Sequence, residues 1–376
     1  MDPNNIGDID LGDGDVPEPN NLARKYEARQ LDIVTQKIEL PIKSLPEMFK
    51  DDDIRLDPSF QRRDRWNQEK QSRFIESIIM NVPIPPIFLG EDDYGKYVVL
   101  DGRQRLTALS QFLKNEFELK KLEVWSELNG LRYQDLEKRD LTKYILRRFM
   151  PAIILLKESS PGVKFDVFDR LNTGSVLALP MEIRNAIYQG PFNTNLHELT
   201  KLPTFRALWN IPLDDTAAES HKLYSTMADL ELALRFFALR NPSAMDVRFK
   251  DYLGDYMDTR NKAYIEDPSL KANDKALFEK TVQNCMVVFG DDAFCKIQGD
   301  GTVGQKSAPL ADAIMVAMSD VDLSESDSGR ISAIKDALIY LMKSDETFIK
   351  AVSSGTNGKG AIESRIERAR AVIQNI

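Results

Sequence analysis

The feature that most constrains this chain lies in residues 97–109, where the spacing of apolar residues changes period across a single turn. Tyr97, Val98, Val99 and Leu100 form an uncharged run that reads as a short buried strand. Asp101-Gly102 is a turn pair. Beyond it Leu106, Leu109 and Leu113 recur at the spacing of one helix face. The stretch is therefore a strand, a tight turn and a helix start. Asp101 stands where an N-cap is expected and Gln104 follows it at capping-box distance, each side chain placed to satisfy an orphan N–H of the other. Gly102 allows the turn and the close approach of a ligand. Arg103 and Arg105 fall in the first turn, where the helix dipole favours anions rather than cations. A helix N-terminus flanked by two guanidiniums suits a phosphate group. The same residues also describe a capped helix whose arginines point to water, and spacing alone leaves both readings open.

The chain has 376 residues, enough for two domains each with its own core. Its net charge of −9 argues against nonspecific coating of nucleic acid, which needs surplus Lys and Arg, without excluding a local basic patch. Cys285 and Cys295 make neither a disulfide framework nor a zinc spacing, which suits a reducing cytoplasm. His197 and His221 sit in no metal-ligand pair and read as incidental. No stretch approaches a transmembrane span. Residues 1–21 are acidic and rich in Pro, Asn and Gly, and read as a disordered tail.

In chain order, Ile38–Ile42 reads as an edge strand ending at a proline, Pro41, and Leu45–Phe49 as a short helix. Arg62, Arg63 and Arg65 surround Trp66 after a proline turn. That cluster could hold a nucleic-acid backbone and stack a base, or form a solvated loop with Trp66 tucked into the core. Asn67 is the expected cap of a helix carrying Phe74, Ile75, Ile78 and Ile79. Ile87–Leu89 and Ala152–Leu156 read as strands, and residues 128–149 as mostly helical. Val163–Leu171 reads as a helix stopped at Asn172 and Gly174, and Pro180 opens another. From about residue 195 the pattern is helical throughout, with helices near Met227–Leu239, Asp274–Val288, Ala308–Met318, Ile331–Met342 and Ile362–Ile373. Gln298–Lys306 and Ser353–Gly360 read as flexible loops, and Glu231 with Arg235 as an intrahelical ion pair.

These motifs resemble the N-terminal domain of GmrSD-type modification-dependent restriction enzymes, within the ParB/sulfiredoxin-like superfamily. The resemblance is carried by Phe60–Trp66, Pro83–Leu89, Val99–Leu109 and the block from Phe168-Asp169-Arg170-Leu171-Asn172-Thr173-Gly174 to Glu182, Arg184, Asn185 and Ala186. It extends to Glu231–Phe237 and Asp292–Phe294. It implies an α+β protein: a small ParB/sulfiredoxin-like mixed α/β nucleotide-binding domain over residues 30–192, followed by an all-helical domain over 195–376. It also implies a nucleoside triphosphate whose phosphates face Gly102, Arg103, Gln104 and Arg105, with Gln61 and Arg62 approaching the same pocket and Arg170 and Asn172 closing it. The family's motif usually has Gln where this chain has Arg103. Sulfiredoxins carry a cysteine in the turn and this chain does not, so sulfinic-acid reduction is not expected. No His-rich block suggests an HNH nuclease.

The expected activity is slow NTP hydrolysis in defence against foreign or modified DNA, with Asp101, Arg105 and Glu182 as catalytic residues. Glu182 is the carboxylate best suited to a Mg²⁺ ion or an activated water, or else it pairs with Arg184 or Arg103. The rival expectation is a non-hydrolysing DNA-sensing adaptor that recruits a separate nuclease, with Arg63, Arg65 and Trp66 on DNA. Expected partners are a nucleotide, DNA and a separate nuclease or effector protein, in the cytoplasm, with no membrane and with oligomerisation left open.

Overall fold

A computed structural model describes residues 34–56, 66–159, 179–297, 302–324, 326–374 and 376, with the single positions 162, 164, 165 and 167. The expected tail over residues 1–21 and most of the helix expected over 163–171 lie outside the described residues, as do Gln61, Arg62, Arg63, Arg65, Arg170, Asn172 and Gly174.

Five strands form one mixed sheet: β1 (Thr35–Pro41), β2 (Ile54–Arg55), β3 (Ile87–Asp93), β4 (Lys96–Asp101) and β5 (Phe149–Leu155), in the order β1-β5-β3-β4-β2. β3 and β4 form an antiparallel hairpin through the turn at Tyr94-Gly95. β5 runs parallel to β3 and antiparallel to β1, and β2 runs parallel to β4. β1 is an edge strand, where a terminal proline removes no ladder hydrogen bond from a central strand.

Strand alternation divides the interior in two. Ile87, Leu89, Val99, Met150, Ala152 and Ile154 face a core filled by the helices Gln68–Met80 and Arg103–Leu113, with Ile75, Ile78, Leu106, Leu109 and Phe112 buried in it. Leu100, Leu155 and Phe88 face the other way, into a larger core shared with the helical half. Asn67 caps the first of these helices, its side chain accepting from the Lys70 N–H at 3.0 Å.

The protein is α+β with a helical C-terminal region. Two expectations change. Residues 128–149 do not form a mainly helical stretch. Short helices at Tyr133–Lys138 and Lys143–Leu146 are separated by Asp140, whose φ of +54° breaks the helix, and Phe149 already belongs to β5. The C-terminal half is also not helical throughout, because Cys295–Ile297 (β6) and Val303–Lys306 (β7) form an antiparallel hairpin. These strands are too short, and β7 too polar, for a period of two to be visible. Helices at Phe249–Glu266 and Glu346–Ser353 fall within the stretch expected to be helical, although spacing alone set no bounds for them.

Candidate functional site at the Gly102 turn

β4 ends at the exposed Asp101, and Gly102 begins the next helix as its N-cap, in a left-handed conformation with φ +92°. A Cβ at this position would lie 2.5 Å from Ile87 Cγ2 and 2.9 Å from Ile87 Cβ. The glycine is therefore required twice, by its backbone angle and by contact with β3.

The expected capping box between Asp101 and Gln104 does not form. The cap is Gly102 and has no side chain to offer, so the helix starts one residue later than the pattern suggested. Gln104 becomes the second helical residue, and its Oε1 accepts from the Trp66 backbone N–H at 3.1 Å. Asp101 Oδ2 accepts instead from Arg105 Nη2 at 3.0 Å. Arg105 Nη1 donates to the Pro85 carbonyl and lies 3.4 Å from that of Pro86. Burial lowers the pKa of the Arg105 guanidinium and Asp101 offsets part of that, leaving it a cation at neutral pH. Arg105 thus ties the end of β4 and the helix start to the proline-stiffened connection that leads into β3. Arg103 lies half-buried in the same first turn.

Trp66 is half-buried against the first core, its ring edge-on to Phe74 at 5.7 Å and 70°. Glu182 is the third residue of the helix Pro180–Ile187, and its Oε2 accepts from the Leu179 N–H at 2.7 Å, the back-reaching bond of a helix start. That helix lies against β4, with Met181 and Ile183 in the same buried cluster as Leu100. Arg55 of β2 adds a link by donating to Gln189 Oε1 at 2.8 Å. Among the described residues the structure therefore brings Asp101, Gly102, Arg103, Gln104, Arg105 and the Trp66 backbone together, with the Glu182 helix alongside their strand. Among them no three His, Cys, Asp or Glu side chains gather as a metal site. Glu182 Oε2 is engaged at its own helix start and Asp101 Oδ2 by Arg105.

The sequence did not reveal the buried polar framework behind this site. Arg184 is 2% exposed, pairs with Glu231 at 3.1 Å and donates to the Lys250 carbonyl at 2.9 Å. Asn185 Oδ1 accepts from Asn193 Nδ2 at 2.7 Å and lies 2.9 Å from His197 Nε2, which gives that histidine a structural place. The expected Glu231–Arg235 pair exists at 3.8 Å but is secondary. Arg235 makes a fork to Asp312 at 2.9 and 2.6 Å, and Arg365 reaches the same carboxylate at 2.7 Å. The one available signal was Arg235 beside the Leu, Ala and Phe of a mostly apolar helix that also carries Asp229 and Glu231. Its partners lie too far away in sequence for spacing to identify them.

Fold and site together define an α+β protein whose candidate site is an arginine-flanked helix start at the end of a central strand. Residues 45–189 match the family model of the GmrSD restriction endonuclease, N-terminal domain. No curated protein and no solved structure matches the chain. No helix among the described residues is long and apolar enough to cross a membrane.

Proposed function

We propose that this chain is a nucleotide-responsive module of a restriction system, binding a nucleoside triphosphate at the Gly102 turn and hydrolysing it slowly. The observation that carries the reading is the location of the turn: a helix start with no side-chain cap, flanked by Arg103 and Arg105, within the segment that matches a restriction endonuclease domain. A helix N-terminus offers backbone N–H groups and a positive dipole end to phosphate oxygens. Arg103, half-buried in the first turn, would supply a second cation. Arg105, held by Asp101 and the Pro85 carbonyl, would keep the turn in shape and add fixed positive charge. Phosphoryl transfer depends mainly on such positioning and neutralisation. The biological setting is defence against foreign or modified DNA, with cleavage left to a separate nuclease.

The test is to titrate the protein with each of the four ribonucleoside triphosphates, with and without magnesium, following phosphate release and thermal shift together. Stabilisation and turnover by one nucleotide, both lost in Arg103→Ala, are expected. A shift without turnover would make the chain a nucleotide sensor rather than an NTPase. No response to any nucleotide would refute the phosphate reading and leave a DNA-sensing adaptor as the alternative.

A further inference from the structure

A second concavity, of about 510 Å³, opens in the helical half. Its wall carries four cations, Arg184, Arg248, Lys250 and Lys359, against one carboxylate, Glu231. Arg248 pairs with Asp251 at 2.7 Å and Lys359 with Glu363 at 4.0 Å, neither of which lines the cavity, so the surplus is confined to the cavity wall. The Glu231 charge is already shared between Arg184 at 3.1 Å and Arg235 at 3.8 Å.

Three helices begin at this wall. Pro180, Phe249 and Lys359 are the first residues of helices of 8, 18 and 16 residues. Their first residues line the wall that carries the cations, and a helix start favours an anion. Arg184 gives an independent indication. It is 2% exposed and lines the cavity, and its buried Nε has no hydrogen-bond partner among the described residues, although both Nη atoms are engaged. A buried donor without an acceptor is costly unless a ligand or water supplies one. Met245 and Leu253 give the cavity an apolar floor. The volume lies within the roughly 300–1,000 Å³ typical of small-molecule sites, which combine apolar walls with a few converging polar groups.

We propose that this cavity binds a phosphate-bearing small molecule of nucleotide size, at a site separate from the Gly102 turn. The phosphate meets the cations and the helix starts, and the body of the molecule lies on the apolar floor.

The test is calorimetric titration of the full chain with pyrophosphate and with AMP. It uses the unaltered protein, Lys250→Ala/Lys359→Ala and Arg103→Ala, each checked by thermal melting. At least one probe is expected to bind the unaltered protein, to bind at least tenfold more weakly to the lysine variant, and to bind Arg103→Ala within twofold of normal. If the double variant melts early, the exposed Lys359→Glu alone carries the same expectation. Binding unchanged by the lysine substitutions, or lost in Arg103→Ala, would overturn the proposal while leaving the Gly102 reading intact. No binding of either probe would also overturn it. Binding of a DNA duplex but of neither probe, lost in the lysine variant, would overturn it in favour of a nucleic-acid contact.

Discussion

Replacing Gly102 with alanine tests the turn on which the candidate site depends. At φ +92° a side chain is strained whatever the space, and a non-glycine residue in the left-handed region costs roughly 1–2 kcal/mol. The new Cβ also meets Ile87 at 2.5 and 2.9 Å. Ile87 is fully buried and backed by the first core, so it cannot swing aside, and overpacking of this kind costs about 1–3 kcal/mol. Together these terms predict a loss of roughly 2–5 kcal/mol for Gly102→Ala. Urea unfolding followed by far-ultraviolet circular dichroism would measure it. Ile87→Ala should be destabilising by itself, by about 2–5 kcal/mol. Combined with Gly102→Ala it removes the Cγ2 methyl at 2.5 Å but keeps the Cβ at 2.9 Å, so part of the clash is relieved and the double variant should be more stable than the sum of the singles by about 0.5–2 kcal/mol. A Gly102→Ala protein within about 0.5 kcal/mol of the unaltered one, or strict additivity in the cycle, would refute the reasoning. Because Gly102 is required for packing, loss of a nucleotide response in Gly102→Ala would say nothing about ligand approach.

Two further predictions concern buried charge. Asp312→Ala leaves Arg235 and Arg365 facing each other without their shared carboxylate, and removing one member of such a group costs about 3–5 kcal/mol; a change below about 1 kcal/mol in urea unfolding would contradict it. Burial pushes the Asp312 carboxyl up, but the two guanidiniums outweigh it and hold its pKa below the usual carboxylate range. Its contribution is therefore fully present above an unfolded value near ~3.9 and is lost as pH falls through the lower folded value, so the acid limb of the melting profile should be shallower in Asp312→Asn. Asp229 runs the opposite way: burial raises its carboxyl to about 7. Its folded pKa exceeds the unfolded one, so this carboxyl makes stability fall as pH rises from about 4 to about 7 and then level off. Asp229→Asn should match the unaltered protein at pH 4 and exceed it at pH 8, by an amount on the order of 2–4 kcal/mol. Melts at pH 4, 6 and 8 decide this, and an offset that does not vary with pH would count against it.

Features set by local pattern were legible in the sequence. The switch from strand to helix around Asp101-Gly102, the Asn67 cap, the proline-opened helix at Pro180 and the amphipathic helices after residue 227 each follow from spacing within one element. The α+β class follows from their sum. At the site itself, the types and position of Gly102, Arg103, Gln104 and Arg105 were readable, but not their partners. Whether Asp101 or Gly102 caps the helix depends on how closely Ile87 of another strand approaches, and that is a tertiary fact. Likewise Gln104 binds the Trp66 backbone, 38 residues away, and Arg105 binds the Pro85 carbonyl, 20 residues away. Arg184, Asn185 and Arg235 were visible as residues but not as a framework. Their partners come from other helices, and periodicity within one helix contains no information about them.

The helix Pro180–Ile187 has a consequence for how a chain of this kind can diverge. It lies inside the matched segment 45–189, yet Met181 and Ile183 are buried with the helical half, and Arg184 and Asn185 find Glu231, Asn193 and His197 there. The stretch recognisable as an inherited module and the body that shares a core therefore overlap. A recombination event that joined the matched segment to an unrelated helical half at residue 189 would strand a buried guanidinium without its acceptors and a buried amide oxygen without its donor. Substitutions at Glu231 or His197 are correspondingly tied to residues within the module, so the two halves are constrained to drift together.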